Sequence, residues 1–458
     1  MEFRMKIFLL LLLIFVLILP WSSLIISLPT VLKNNPQNLH ILADSPLDIN
    51  GNAQLAAQAS SGNGQPATPY IIKDKIITAS ATNGIYIRNT NAYFILKNCT
   101  VTNTDMIYEG IRLSNVTHAR IENITANNNS IGISLESSDS NTLIGNTANN
   151  NSHGISLESS DSNTLIGNTA NNNTVGISLE SSDSNTLIGN TANNNSDGIQ
   201  LLDSIHNTLT SNNASANLHD GMAVSWSDSN KLTSNNASAN LYDGIVVSYS
   251  GNNTLTGNIA ISNLHDGILV SYSVNNNTLT ANIAISNYNG IYFYQSDTNT
   301  VTGNTAHGND YVGIFLDLSD MNTLTGNIAC DNLYGISIWA CHNNTLTGNT
   351  ANSNTHGFTV GFGNNNTLTG NTANSNTGDG IYLRHSNYTR VIGNTLHGNS
   401  ECIVEDGCVG NSKINNDCGN GNEIPGFTWA LVLVVVSGLS LLAMAMKRKE
   451  KLLNFVLS

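Results

Sequence analysis

Along most of this chain, apolar and polar residues alternate in short bursts. In Gly154-Ile155-Ser156-Leu157 the two apolar side chains point one way and the serine the other, which is the period of a half-buried strand. A second burst is Thr164-Leu165-Ile166, and a third centres on Thr169-Ala170. Polar corners lie between them. The block GISLESSDSNTLIGNTANNN starts unchanged at Gly132, Gly154 and Gly176, a period of 22 residues. A glycine followed by an apolar residue marks each unit from Gly84 to Gly380, and after the first the spacing is 22 or 23. Three brief strands per period predict an all-β chain, a single-stranded parallel β-helix of about 14 coils. The leucine-rich L-x-x-L-x-L-x-x-N order and the 3.6-residue period of helical repeats are both absent.

Aligned coils give columns. Ile111, Ile133, Ile155 and Ile177 begin one interior column, and Leu143, Leu165 and Leu187 begin another. Asparagines align at the corners as well. One column runs from Asn146, Asn168 and Asn190 to Asn394, and a second, five residues later, runs from Asn151 to Asn399. Asparagine tolerates left-handed backbone, and its amide can both donate and accept between coils, so these columns are expected to be structural ladders at the turns. Strands spaced about 4.8 Å apart would make a rod of roughly 65 Å.

The ends differ from this pattern. Residues 1–6 carry Arg4 and Lys6 before an unbroken apolar run at 7–19, the form of an export signal or an uncleaved anchor. Residues 427–446 form a 20-residue apolar stretch followed by Lys447, Arg448, Lys449 and Lys451. That is long enough to span a bilayer and places the tail in the cytoplasm. The expected organisation is a signal peptide or anchor at 1–32, a cap or leader at 33–80, coils at 81–400, a cysteine-containing linker at 401–424, a transmembrane helix at 425–446 and a basic cytoplasmic tail at 447–458. Both ends put the middle on the extracellular face of the cell membrane. Fourteen N-x-S/T sequons, Asn150 and Asn172 among them, suit a surface glycoprotein, although an Asn- and Thr-rich repeat also generates them by itself.

Charge narrows the partners. The formal net charge is −14, and it becomes −18 without Glu2, Glu450 and the six basic residues of the two ends. Nucleic acid and anionic lipid headgroups are therefore poor partners for the middle, and no nucleic-acid partner is expected.

The G-I-x-L-x-x-S-x-x-N-x-L-x-x-N pattern of 154–168 resembles the NosD-like right-handed β-helix proteins, within the pectin-lyase-like and CASH-repeat group. Asn91-Ala92-Tyr93-Phe94-Ile95 and Asn98-Cys99-Thr100 are similar to the N-terminal part of archaeal members, and Ile424-Pro425-Gly426-Phe427 resembles the sorting motif of archaeal surface proteins. The resemblance implies the fold strongly. It also brings a label, periplasmic copper binding, that implies copper as a cofactor.

The residues support that label poorly. Copper sites want clustered Cys, Met or His, whereas Met106, Met222 and Met321 are isolated and the histidines are scattered. Cys330 and Cys341 flank one strand and read as a structural or disulfide feature. A pectate-type lyase needs Lys or Arg, yet from 121 to 383 only Lys231 is present. Two carboxylates flanking one sugar would serve hydrolysis. The Glu136, Glu158, Glu180 column offers that spacing but sits in near-identical repeats, as a solvated outer face would.

The candidate ligand site lies where coils depart from the repeat. Leu218-His219-Asp220, Leu241-Tyr242-Asp243, Leu264-His265-Asp266 and Tyr288-Asn289 carry an extra or a bulkier residue before the marker glycine. The enlarged corner is expected to protrude and to line up His219, Tyr242, His265, Tyr288 and Tyr311, with Asp197, Asp220, Asp243 and Asp266 beside them. Trp226, Tyr249 and Tyr272 form a second stripe on a neighbouring face. Aromatic faces with flanking carboxylates suit a polysaccharide or surface glycan, and an aspartate column could hold Ca²⁺. The same residues also fit a structural role, because Asp-Gly turns well and aromatic ladders stabilise solenoids. The expected function is a non-catalytic, membrane-anchored binding, adhesion or display rod. The alternatives are a polysaccharide lyase or hydrolase, a copper accessory protein and a plain spacer.

Overall fold

The computed structural model describes residues 43–103, 107–273 and 276–419. The expected signal or anchor, the transmembrane helix and the basic tail lie outside the described residues, as do Met106 and the first part of the leader. No helix among the described residues is long and apolar enough to cross a membrane.

The chain winds as a parallel β-solenoid. Two sheets of 16 strands each run the length of the rod. In the first, His153–Glu158 pairs in register with Ile131–Glu136 on one side and Val175–Glu180 on the other. In the second, Thr164–Ile166 pairs with Thr142–Ile144 and Thr186–Ile188. These neighbours are copies one period away, so identical side chains stack at every position except the first, where His153 lies between Ile131 and Val175.

A third face was expected to be a strand in every coil. In the repeat coils it narrows to a single bridge, Thr147↔Thr169↔Thr191. The cause is the following asparagine: Asn171 Oδ1 accepts the backbone N–H of Asn193 at 2.8 Å, which takes the place of a ladder bond. Where that asparagine becomes Ile261, Ile285, His307 or Cys330, three-residue strands form and make a four-stranded sheet.

Each coil buries four apolar side chains, exemplified by Ile155, Leu157, Leu165 and Ala170, all at 0% exposure. Four polar residues turn inward beside them: Ser160, Asn163, Asn168 and Asn173, all buried. Two asparagine columns were anticipated; the columns of Ser160 and Asn163 complete the set. Burial of so many amides is tolerated because they are bonded from coil to coil. Asn168 Nδ2 donates to the Leu143 carbonyl at 3.0 Å and to Asn190 Oδ1 at 2.9 Å, while its own Oδ1 accepts Asn146 N–H at 3.0 Å. Ser160 Oγ accepts Ser138 N–H and donates to the Glu158 carbonyl.

The ladder asparagines are not the left-handed residues. The residue before each inward polar group is: Ser159 (φ +48°), Ser162 (+56°), Gly167 (+61°) and Asn172 (+57°). A left-handed residue reverses the chain and swings the next side chain into the interior.

The marker glycines have a separate cause. A Cβ on Gly154 would stand 2.5 Å from the Gly176 carbonyl oxygen and 2.7 Å from Ala170 Cβ. The coils approach too closely there for any side chain.

Both rod ends are closed off from bare solvent differently. At the N-terminal end, strand Leu47–Asn50 pairs with Ile85–Thr90, and helix α1 (Gly51–Gln58) inserts Leu55 fully into the core. At the other end the solenoid runs past residue 400 where a linker was expected. Glu401–Asp406 and Ser412–Ile414 continue the two long sheets, and Thr395 bridges Asp417. Fifteen first-sheet strands thus follow the cap strand, about one more coil than expected. This last coil is clamped by a disulfide between Cys402 and Cys418.

Candidate functional site

The extra residue in the enlarged coils enters directly after the ladder asparagine. In the repeat, Asn195 is followed by Ser196 and Asp197; one coil on, Asn217 is followed by Leu218, His219 and Asp220. Asn217 keeps its rung, donating its backbone N–H to Asn240 Oδ1 at 3.0 Å. The surplus residue must therefore bulge outward. Leu218, Leu241 and Leu264 take that position and are 60%, 53% and 65% exposed. Tyr288 departs from this scheme. Its coil has no extra residue at this corner, because Asn287 is followed by Tyr288, Asn289 and Gly290. The added residue of that turn falls earlier, where Asn253 and Asn277, partners in the ladder, are 24 residues apart.

The aromatic stripe forms in pairs. Tyr242 and His265 stack with centroids 4.1 Å apart, and Tyr288 stacks on Tyr311 at 5.5 Å. His219 instead meets Ser196 Oγ at 3.2 Å and Asp197 Oδ2 at 3.8 Å through Nδ1.

The aspartates expected beside the stripe are mostly drawn inside. Asp243 and Asp266 are 3% and 7% exposed. Their carboxylates point along the rod. Asp220 Oδ1 accepts Asp243 N–H at 3.2 Å, Asp243 Oδ1 accepts Asp266 N–H at 2.8 Å, and Asp266 Oδ1 accepts Asn289 Nδ2 at 2.8 Å. This is another ladder, made of acids. Burial pushes the Asp220 and Asp266 carboxyls up to about 6, and burial followed by the charge of Asp266 pushes Asp243 up to about 8. The column is thus occupied with backbone N–H groups in the place where Ca²⁺ was considered. Among the described residues no three His, Cys, Asp or Glu side chains converge as a metal site.

The second stripe is a continuous stack. Trp226 and Tyr249 lie 4.4 Å apart with planes 4° from parallel, and Tyr249 and Tyr272 lie 5.0 Å apart at 5°. Tyr294 closes the far end edge-on, at 5.2 Å and 87°. All three stacked residues sit at the left-handed corner after the first-sheet strand, with φ between +50° and +53°. That backbone recurs at the same corner in other coils, at Ser181, Asp203 and Leu318, so the turn imposes it and the ring does not. It aims the side chains outward.

Further aromatic pairs lie on the outer side of the first sheet, beyond the residues singled out from sequence. Tyr292 stacks on Phe315 at 4.9 Å, Tyr334 on His356 at 5.4 Å, and Trp339 meets Phe362 at 4.7 Å. The signal was present at the second position after each marker glycine, where Ser134, Ser156 and Ser178 give way to Tyr292 and Phe315. Cys341 belongs to the scaffold: its thiol replaces a ladder serine, accepting Ser319 N–H at 3.1 Å. Cys330 and Cys341 are both free thiols.

A family model described as periplasmic copper-binding protein (NosD) matches residues 69–236, 212–340 and 322–423. No curated protein matches the sequence. Among solved structures, the A-module of mannuronan C-5 epimerase AlgE6 from Azotobacter vinelandii is similar at 14% identity, covering 78% of this chain and 94% of that one, with a TM-score of 0.34. Tailspike protein 3 of bacteriophage CBA120 is similar at 11% identity over 78% of this chain and 57% of its own, with a TM-score of 0.39. The pre-mature gene product 12 of bacteriophage phi29 is similar at 11% identity over 81% and 58%, with a TM-score of 0.47.

Proposed function

The chain belongs to the NosD family, and on that premise we propose that it is a membrane-anchored, surface-displayed β-helix that binds a glycan and does not cleave it. The observation that carries this reading is a pair of stripes of exposed apolar side chains on the same coils. Within three consecutive coils, Leu218, Trp226, Leu241, Tyr242, Tyr249, Leu264 and Tyr272 are all between 40% and 65% exposed. The repeat coils place serine or threonine at the equivalent corners. Exposed apolar surface concentrated in a few coils in this way marks an interaction site. Tyrosine and tryptophan bring both an apolar body and a polar tip, which suits a sugar ring with its apolar C–H face and its hydroxyls. The anchor follows from the apolar stretch at 427–446 and the basic residues after it.

Copper, which the family description names, finds little to hold it. Cys99 and Cys341 are buried, burial pushes the Cys341 thiol up to about 12, Met222 is in the core and Met321 stands singly on the surface. These residues do not fit a copper site, which requires clustered soft donors or imidazoles.

A glycan array probed with the purified protein tests the binding reading. Binding that falls at least tenfold in a double variant, Trp226→Ala with Tyr242→Ala, supports it. Absence of binding, or binding unchanged in the variant, overturns it. Release of new reducing ends or unsaturated uronides from any polysaccharide would overturn the non-catalytic part.

A further inference from the structure

We propose that the open face of Trp226 is the sugar-stacking platform of this rod, and that its ligand is a neutral glycan rather than a polyuronate. The inference rests on the glycan reading above and assigns the position and the ligand class. In the Trp226, Tyr249, Tyr272 stack, each internal ring face is covered by the next ring, at 4.4 and 5.0 Å, and Tyr294 covers the far end. Tyr249 and Tyr272 can therefore present only edges. A sugar packs its C–H face against a ring face, so they do not qualify as platforms.

Trp226 differs at its N-terminal side. The first-sheet register pairs Leu202 with Ser225, so the residue aligned with Trp226 in the preceding coil is Asp203. No ring stands there. Trp226 is also the most exposed member of the stack, at 57% against 45% and 40%. The stack behind it holds the indole in place, so a ligand meets a rigid surface and little side-chain freedom is lost on binding.

The surroundings select the ligand by charge. The two corner loops beside that face, 202–206 and 225–229, contain Asp203, Asp228 and a single histidine, His206, and no lysine or arginine. Asp203 donates its backbone N–H to the Ser225 carbonyl at 3.2 Å, but among the described residues its carboxylate has no hydrogen-bond or ion-pair partner, so it is free to accept hydroxyl groups from a sugar. Asp228 spends one oxygen on Gly251 N–H at 2.7 Å and keeps the other. The nearest basic side chain along the chain, Lys231, begins the next strand, outside the loops. A uronate carboxylate on that face of Trp226 would meet the like charge of Asp203 with no lysine or arginine in either loop, whereas a neutral hexose would offer it hydroxyl donors.

The test uses the full-length protein and hexasaccharides of glucose, mannose and xylose, set against hexagalacturonate and hexamannuronate. Binding is read by calorimetry and by saturation transfer to the sugar ring protons. The expected result is binding to at least one neutral hexasaccharide and at least tenfold weaker binding to both uronates. Trp226→Ala should lose at least tenfold, Trp226→Phe should retain part, and Tyr388→Ala, which removes an exposed ring on a distant coil, should stay within threefold. Asp203→Lys should narrow the gap between neutral and uronate ligands. Uronates that bind as tightly as neutral sugars overturn the assignment. So does neutral binding that survives Trp226→Ala but is lost in Tyr242→Ala, and in that case the glycan reading stands and only the position falls. No binding of either class removes both.

Discussion

Replacing Asp243 by asparagine should stabilise the protein at pH 8 and much less at pH 5. Asp243 is 3% exposed and lies between two other acids of the same ladder. Its carboxyl rises from an ordinary 3.8 to about 8, and Asp220 and Asp266 rise to about 6. The sign follows from proton binding. Between pH 4 and 8 the unfolded chain gives up these protons before the folded chain does, so stability is full at low pH and is lost as pH rises through the folded values. For Asp243 alone the span from 3.8 to about 8 corresponds to about 5–6 kcal/mol at 1.4 kcal/mol per pH unit. Part of that belongs to the neighbours, which titrate in the same range, so about 2–4 kcal/mol is the expected gain for the single variant.

Asparagine keeps the rung. The column already contains Asn289, whose Oδ1 accepts Val312 N–H at 3.3 Å and whose Nδ2 donates to Asp266. Because a solenoid opens locally, hydrogen exchange is the direct assay. At pH 8, peptides covering 240–270 should exchange about 30- to 1,000-fold more slowly in Asp243→Asn than in the wild type, after correction for intrinsic rates. At pH 5, where only the first part of that span has been crossed, the two proteins should differ by less than about tenfold, and the coils at 132–197 should match at both pH values. A gain of equal size at pH 5 and pH 8, or a loss at pH 8, would refute the buried-acid account.

Two further outcomes follow from the scaffold. Gly154→Ala should cost about 3 kcal/mol or more, because its methyl group would meet a carbonyl oxygen at 2.5 Å that belongs to the backbone of the next coil. Chemical denaturation with hydrogen exchange across 132–197 checks this, and a cost below about 1 kcal/mol would sink the close-approach explanation of the marker glycines. Replacing Cys402 and Cys418 by serine should fray the last coil by about 3 kcal/mol, the amount expected for a short closed loop. Exchange should accelerate across 401–414 and stay unchanged near Gly313; uniform loss along the rod would mean that the clamp acts globally.

Much of the fold was legible in the chain. A strict period, with Ile155 and Leu157 on one side and Ser156 on the other, dictates that copies lie over copies, because only stacked neighbours can cover each coil's apolar strip. The site was less legible. Asp243 and His265 both occupy an enlarged corner, but the period alone does not say which of them turns inward. That depends on the left-handed residues and on the unmet backbone N–H groups of the next coil, and the buried acids answer those groups. The outer aromatic pairs, such as Tyr292 and Phe315, were overlooked for a related reason: their position reads as serine in the repeat that defines the alignment.

The sequence by itself determined which residues share a column, since translation by 22 or 23 residues is a property of the chain alone. Only the tertiary structure decided what each column does. Stacking at near-parallel planes turns Trp226, Tyr249 and Tyr272 from three candidate platforms into one open face and two covered ones. Burial turns an apparent row of surface acids into a proton-holding ladder. In both cases the deciding quantity is what lies directly above and below a side chain, and that exists only once the coils are stacked.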